Sequence, residues 1–241
     1  MFKKTQKGYY EFNKFKKFKG LIHGFSCRKF GDMRTKKLDN FLHALNLQKK
    51  NLVLMEQVHG DKVKVVDGDE KGKVIPEIDG MVTAKPRVVL GVKTADCLPI
   101  LFYDPVEKII GVAHAGWKGV LKKIGQKMVD LMVRNGSSPL NILVGVGPHI
   151  GGCCYTVSRQ RVKRFLKEFA ELENMVYSDK KGIHLDLMVP MMIQLIHSGI
   201  FKENILSSLT CTSCQNKEFF SYRKDSKKSY GEILGIISLN I

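Results

Sequence analysis

No apolar run in this chain approaches the ~20 residues that a helical membrane span requires, and no membrane span is expected. The lysines near the start, Lys3 and Lys4, are not followed by the apolar stretch of about 7–15 residues that marks a secretory signal, so a soluble cytoplasmic protein is expected. Acidic residues are the scarcer charge, 23 against 40 basic, for a net charge of +17. Repeats, low-complexity linkers and breaks in composition are all missing. The 241 residues therefore read as a single domain, 1–241, and a hydrophobic content of 44 % supplies its core. Six cysteines do not make a disulfide scaffold of a chain this long. Free thiols, with one or two of them as metal ligands, fit a cytoplasmic protein.

The basic excess has two readings, phosphate neutralisation on a nucleic acid and a solvated lysine surface. The lysines are scattered, except where Lys14, Lys16, Lys17 and Lys19 interleave with Phe12, Phe15 and Phe18. That alternation reads as an edge strand with basic outward positions. No nucleic-acid partner is expected, although a basic field suits a small molecule that carries phosphate.

Short runs rich in valine and isoleucine predict strands over Leu21–Cys27, Asn51–Val58, Val88–Lys93, Leu98–Tyr103, Ile109–His114 and Asn141–Val146. Several are apolar without alternation, which implies cover on both faces. Val120, Ile124, Met128, Leu131 and Met132 form a helical stripe over Gly119–Asn135, with Gly136 placed to end it. Ser158 can cap a helix to about Phe169, and Asp186 one to about His197, with Pro190 in its first turn. Leu38–Leu47 is a fourth helical segment. Strands and helices mix without a strict βαβ rhythm, which predicts a layered α/β or α+β domain.

Three segments carry more chemistry than packing requires. Gln57-Val58-His59-Gly60 ends an apolar strand in a histidine, and Thr94-Ala95-Asp96-Cys97 ends one in a polar turn and a cysteine. His114-Ala115-Gly116-Trp117-Lys118-Gly119 ends a third and holds the chain's one tryptophan. A single strand-end histidine is more often structural, and a single buried cysteine is usually inert. Together, His59, Cys97 and His114 supply two imidazoles and a thiolate, a donor set for zinc, with copper as the other candidate. Three protein ligands leave one position for water or substrate. The same residues admit a metal-free cysteine hydrolase, with Cys97 as nucleophile and His114 as its base.

The sequence resembles the YfiH family, the multicopper polyphenol oxidoreductase or laccase-domain proteins. The motifs that carry the resemblance are His23-Gly24-Phe25-Ser26, Gln57-Val58-His59-Gly60, Asp79-Gly80-Met81-Val82-Thr83, Ala95-Asp96-Cys97-Leu98-Pro99, His114-Ala115-Gly116-Trp117-Lys118-Gly119, Gly147-Pro148-His149-Ile150, Cys153-Cys154-Tyr155 and Phe220-Ser221-Tyr222-Arg223. The resemblance implies a four-layer α/β/β/α sandwich with mixed sheets. It implies zinc held by His59, Cys97 and His114, and phosphorolysis of adenosine, inosine and methylthioadenosine, with adenosine deamination beside it. For some members it also implies editing of peptidoglycan precursors. The chain departs from the family pattern at Cys27, at Lys29-Phe30-Gly31-Asp32 and at Lys118, where an arginine is common.

A nucleoside and phosphate are therefore the expected partners, with monomer and homodimer both open. Arg223, beside Tyr222, is the leading phosphate-binding candidate because a guanidinium fork matches phosphate oxygens. Arg28 and Lys118 follow on the same logic. Asp96 is a candidate to orient the site from behind Cys97, or equally to cap a turn. Copper oxidase chemistry of the laccase kind needs more imidazoles than seven histidines comfortably supply. Cys211-Thr212-Ser213-Cys214 is a CxxC with no second pair in the tail to complete a zinc site. Cys153 and Cys154 are expected to line the core or a pocket wall.

Overall fold

The structure, a computed structural model, describes residues 1–170, 173–225 and 230–240. Among them, two large mixed sheets stack face to face. One runs in the order Phe2–Lys4, Tyr10–Phe12, Leu21–Phe25, Ile233–Leu239, Val89–Thr94, Leu52–Met55, Val74–Ile75. The other runs Ile205–Ser207, Leu143–Val146, Leu98–Asp104, Ile109–Ala115, Gly80–Thr83, Val63–Val65. A small third sheet pairs Gly182–Leu185 with Thr156–Val157 and Val176–Asp179.

The layers follow from the two-residue period of the strands. In Ile109–Ala115, Ile110 and Val112 enter the core between the sheets, while Ile109, Ala113 and Ala115 face the helices. Leu98–Asp104 does the same, with Leu101 and Tyr103 inward and Leu98, Ile100 and Phe102 toward Met128, Met132 and Phe165. In the other sheet, Leu90 and Val92 face the inter-sheet core, and Val89 packs outward with Phe41 and Leu42 of the helix Leu38–Ala44. Helix, sheet, sheet and helix thus stack in the expected four layers. Strands covered on both faces are continuously apolar, as the sequence shows.

Most predicted elements form, within two or three residues of the expected ends. Two differ. The expected helix over Gly119–Asn135 is two helices, Trp117–Leu121 and Ile124–Arg134, because Lys123 takes a left-handed conformation, φ 61°, between them. The predicted stripe still packs, and Gly136, φ 106°, ends the second helix: its N–H donates to Val133 O and that of Ser137 to Met132 O. The lysine-rich N-terminal segment is not an edge strand. Phe2–Lys4 is the edge strand instead, paired with Tyr10–Phe12; of the Phe12–Lys19 segment only Phe12 lies in a strand, and Asn13–Lys16 is a single helical turn that buries Phe15 beside Phe12. Among the described residues, no helix is long and apolar enough to cross a membrane.

Candidate functional site

His59, Cys97 and His114 come together at one end of the sandwich, because the chain crosses between the two sheets there. His59 lies on the link from Leu52–Met55 to Val63–Val65, and Cys97 on the turn from Val89–Thr94 to Leu98–Asp104. His114 is the penultimate residue of Ile109–Ala115. The three ligating atoms lie within 4.8 Å of one another. The imidazoles meet edge to face, with ring centroids 4.7 Å apart. Gly116 leaves room for this: a Cβ there would stand 2.9 Å from His59 Cδ2 and 3.1 Å from Cys97 Sγ.

Asp79, fully buried, organises the cluster. Its Oδ1 accepts from His114 Nδ1 at 2.7 Å and from the His59 N–H at 3.1 Å. Its Oδ2 accepts from the N–H groups of Gly60 at 2.6 Å and Val58 at 3.3 Å. His59 adopts φ 57°, so three successive N–H groups converge on one carboxylate, a concave anion site made of backbone. Nδ1 of His114 is thereby engaged, which leaves Nε2 for a ligand, the arrangement that orients a metal-bound imidazole. The donor set and its spacing fit a zinc-like cation.

Cys97 and His114 shift each other's titration in opposite directions. Burial would raise the Cys97 thiol, but the charge of His114 and hydrogen bonds from His114 and His59 bring it down to about 7. Burial also opposes the His114 cation, yet the Cys97 charge and the Asp79 hydrogen bond lift it to about 9. For Asp79 burial is likewise outweighed, by the hydrogen bond from His114 and the surrounding N–H groups, and its carboxyl stays below the usual range.

The cluster opens into a cavity of about 610 Å³, within the usual size of small-molecule sites. Trp117, Tyr155, Tyr222 and Tyr230 give it aromatic walls. Arg161 stacks 4.3 Å over Trp117 and donates to Tyr155 Oη at 3.1 Å, and Arg223 lies 5.0 Å over the Tyr155 ring. Thr94 Oγ1 is buried with no partner among the described residues, and Thr94 lines the cavity. Glu232 lines it too, and burial lifts its carboxyl above the ordinary value, against the charges of Lys93 and Arg34.

The family described as multi-copper polyphenol oxidoreductase laccase has a model that matches residues 19–240. The chain belongs to this family. A purine nucleoside phosphorylase, YlmD, from Bacillus subtilis (strain 168) is 34 % identical over 204 residues, covering 80 % of this chain and 73 % of that one. An adenosine deaminase, RL5, from an unknown prokaryotic organism is 31 % identical over 210 residues, covering 82 % and 80 %. The crystal structure of the hypothetical protein YfiH of Bacillus licheniformis superposes with a TM-score of 0.90 at 27 % identity, covering 99 % of this chain and 98 % of that one.

Of the other residues singled out from sequence, Tyr222, Arg223 and Asp96 reach the laccase-family cavity. Asp96, φ 87°, accepts from Thr212 Oγ1 at 2.6 Å and from the Arg223 N–H at 2.7 Å, so it positions the segment that carries Arg223. Arg28 does not line the cavity. Its Nη2 donates to both oxygens of Asp225 at 2.6 Å and its Nε to Asn216 O, a structural use of the same guanidinium fork. Lys118 is exposed beside the Trp117 ring and does not line the cavity either. Sequence reasoning missed Asp79 as a site residue, although a lone carboxylate in Ile78-Asp79-Gly80-Met81-Val82 signals a buried charge in need of partners. Arg161 gave no signal, since an arginine in a helix reads as surface. Cys211 and Cys214 are not without partners, because Cys153 and Cys154 lie against them.

Proposed function

We propose that the chain is a zinc-dependent enzyme that phosphorolyses purine nucleosides, adenosine, inosine and methylthioadenosine, and deaminates adenosine at the same centre. The observation that carries this is the His59, Cys97, His114 cluster at the head of a cavity that also holds two guanidinium groups, Arg161 and Arg223. The names of the two relatives support it. His59, Cys97 and His114 would hold a divalent cation, which would supply Lewis acidity at the head of the cavity. Arg223 and Arg161 hold phosphate, and the aromatic walls hold the base. In phosphorolysis a phosphate oxygen bonds to C1′ of the ribose as the C1′–N9 bond breaks. The electron pair leaves on the purine, and the Glu232 carboxyl carries the proton that the purine takes up. In deamination water adds at C6 and ammonia departs. The unpartnered Thr94 hydroxyl serves as a polar anchor for the nucleoside.

Removing the metal with a chelator is the test. Adenine formed from adenosine and phosphate, and inosine formed from adenosine and water, are expected to fall together and to return together with zinc. Retention of both activities in metal-free protein would sink the reading. Arg223→Ala is expected to raise KM for phosphate about 10–150-fold, the loss of a charge-assisted contact of about 1.5–3 kcal/mol, with little change in KM for nucleoside. Equal changes in both would remove Arg223 from the phosphate site.

One observation favours a second reading. Asp79, His114 and Cys97 line up as orienter, base and low-pKa nucleophile, the arrangement of a metal-free cysteine hydrolase. Multi-copper oxidation lacks comparable support. His23 accepts from the Phe12 N–H, His149 bonds Gly147 O, and His184 is bonded at both ring nitrogens. No second histidine cluster forms among the described residues.

A further inference from the structure

Sixty-one residues separate Cys153 from Cys214 in sequence, yet their sulfurs lie 3.6 Å apart. Cys154 Sγ lies 3.4 Å from Cys214 Sγ. With Cys211, all four sulfurs fall within 4.8 Å of one another, and all four are free thiols. These separations are too long for disulfide bonds of about 2.05 Å. They are close to the edge of a tetrahedron around a zinc ion: Zn–S bonds of about 2.3 Å set sulfurs about 3.8 Å apart.

The backbone around the cluster is built to hold it. Gly151 stands where a side chain would crowd it, since a Cβ there would lie 3.3 Å from Cys153 Sγ and 3.4 Å from Cys211 Cβ. Cys211 pairs with His149 as a parallel bridge, and the Thr212 N–H donates to His149 O at 2.9 Å. The Gln215 N–H closes a turn onto Cys211 O at 2.9 Å, which brings Cys214 back to the pair. Cys154 and Cys211 rest against the core while Cys153 and Cys214 face solvent, and the four sulfurs, gathered with no disulfide between them, make a complete ligand set. Cys153 and Cys214 are exposed, so a cation can enter.

We propose that Cys153, Cys154, Cys211 and Cys214 form a second, structural metal centre, a tetrathiolate site for a zinc-like divalent cation. It has four protein ligands and no open position, unlike the three-ligand cluster at the cavity. Its place in the fold assigns its effect. One pair of thiols precedes Tyr155 and Thr156, and the other precedes Tyr222 and Arg223. The Arg223 guanidinium donates to Thr156 O at 2.8 Å across the same seam. A cation there ties the two halves of the cavity wall together. The proposal does not depend on the nucleoside reading.

Cobalt(II) substitution under reducing conditions tests it, because tetrathiolate cobalt absorbs through intense sulfur-to-metal charge transfer. In Cys97→Ala protein, where the other centre lacks its thiolate, one equivalent of cobalt with this absorption is expected. Zinc should displace it. In a Cys211→Ser, Cys214→Ser double variant the absorption and one equivalent of metal are expected to vanish, while a Cys214→Ser single variant retains a weaker and shifted band. Circular dichroism of each variant reports the fold. The proposal is overturned if Cys97→Ala protein gives no such absorption, if the double variant keeps it, or if mass spectrometry of protein whose free thiols were alkylated at cell lysis, before any reductant, finds these cysteines as disulfides. Unsubstituted protein that shows the charge-transfer band but binds no metal at the His59, Cys97, His114 cluster would count against the proposed function alone.

Discussion

Cys97→Ala is expected to abolish turnover of nucleosides while the protein remains folded. Removing the hydrogen-bond partner of a metal ligand costs about 10–100-fold in affinity or activity, and removing the ligand itself costs more. The fold survives because its three apolar layers do not depend on the cluster: Cys97 sits in the turn between two strands that are held by their own ladders. The variant should lose one equivalent of zinc by elemental analysis and both product peaks by chromatography, with an unchanged far-ultraviolet spectrum. A full complement of metal in the variant would show that the cluster was wrongly assigned. Alkylation separates the two enzymatic readings, provided that it is done on metal-free protein. A cysteine nucleophile stays active without metal and dies on alkylation of Cys97. A metal enzyme is already silent.

Asp79→Asn is expected to weaken zinc binding by about 10–100-fold and to lower activity with it. Each carboxylate oxygen faces two donors, Oδ1 the His114 ring and the His59 N–H, Oδ2 the N–H groups of Gly60 and Val58. An asparagine amide presents one oxygen and one NH2, so in either orientation a donor meets donors. An unsatisfied buried group of this kind costs about 1–3 kcal/mol. The consequence is a displaced His59 loop or a misdirected His114 ring, at nearly constant side-chain volume. Competition with a chromophoric chelator measures the affinity. An unchanged zinc affinity would reduce Asp79 to a packing residue.

The family cavity and the cysteine cluster share one wall. Asp96 connects them, because its carboxylate holds Thr212, next to Cys211, and the N–H of Arg223. A left-handed aspartate is sparsely populated, and here it is held by both contacts. The Arg223 side chain then reaches back to Thr156, beside Tyr155. This loop thereby sets the Arg223 guanidinium against Tyr155 in the wall of the cavity that Cys97 also lines.

Much of the fold was legible in local pattern. Runs such as Leu98–Asp104 and Ile109–Ala115 are buried at every position, and apolar but for Asp104 and His114, because a sheet stacked on one side and covered by helices on the other has no wet face. The caps at Ser158 and Gly136 were equally local, each a matter of one residue's hydrogen bonding or conformational freedom. His59, Cys97 and His114 stood out because strand ends that stop in a ligating side chain are the places where a rigid sheet presents chemistry. Pattern could not reveal the left-handed Lys123 that divides one helical stripe between two helices. Nor could it distinguish Arg28 from Arg223. Both are guanidiniums near aromatic residues, and only the folded chain sets Asp225 against the first and the cavity against the second. Asp79 and the four cysteines mark the same boundary. A residue's type states which partners it needs, but those partners lie tens of residues away, and closure of the two sheets decides which of them it meets.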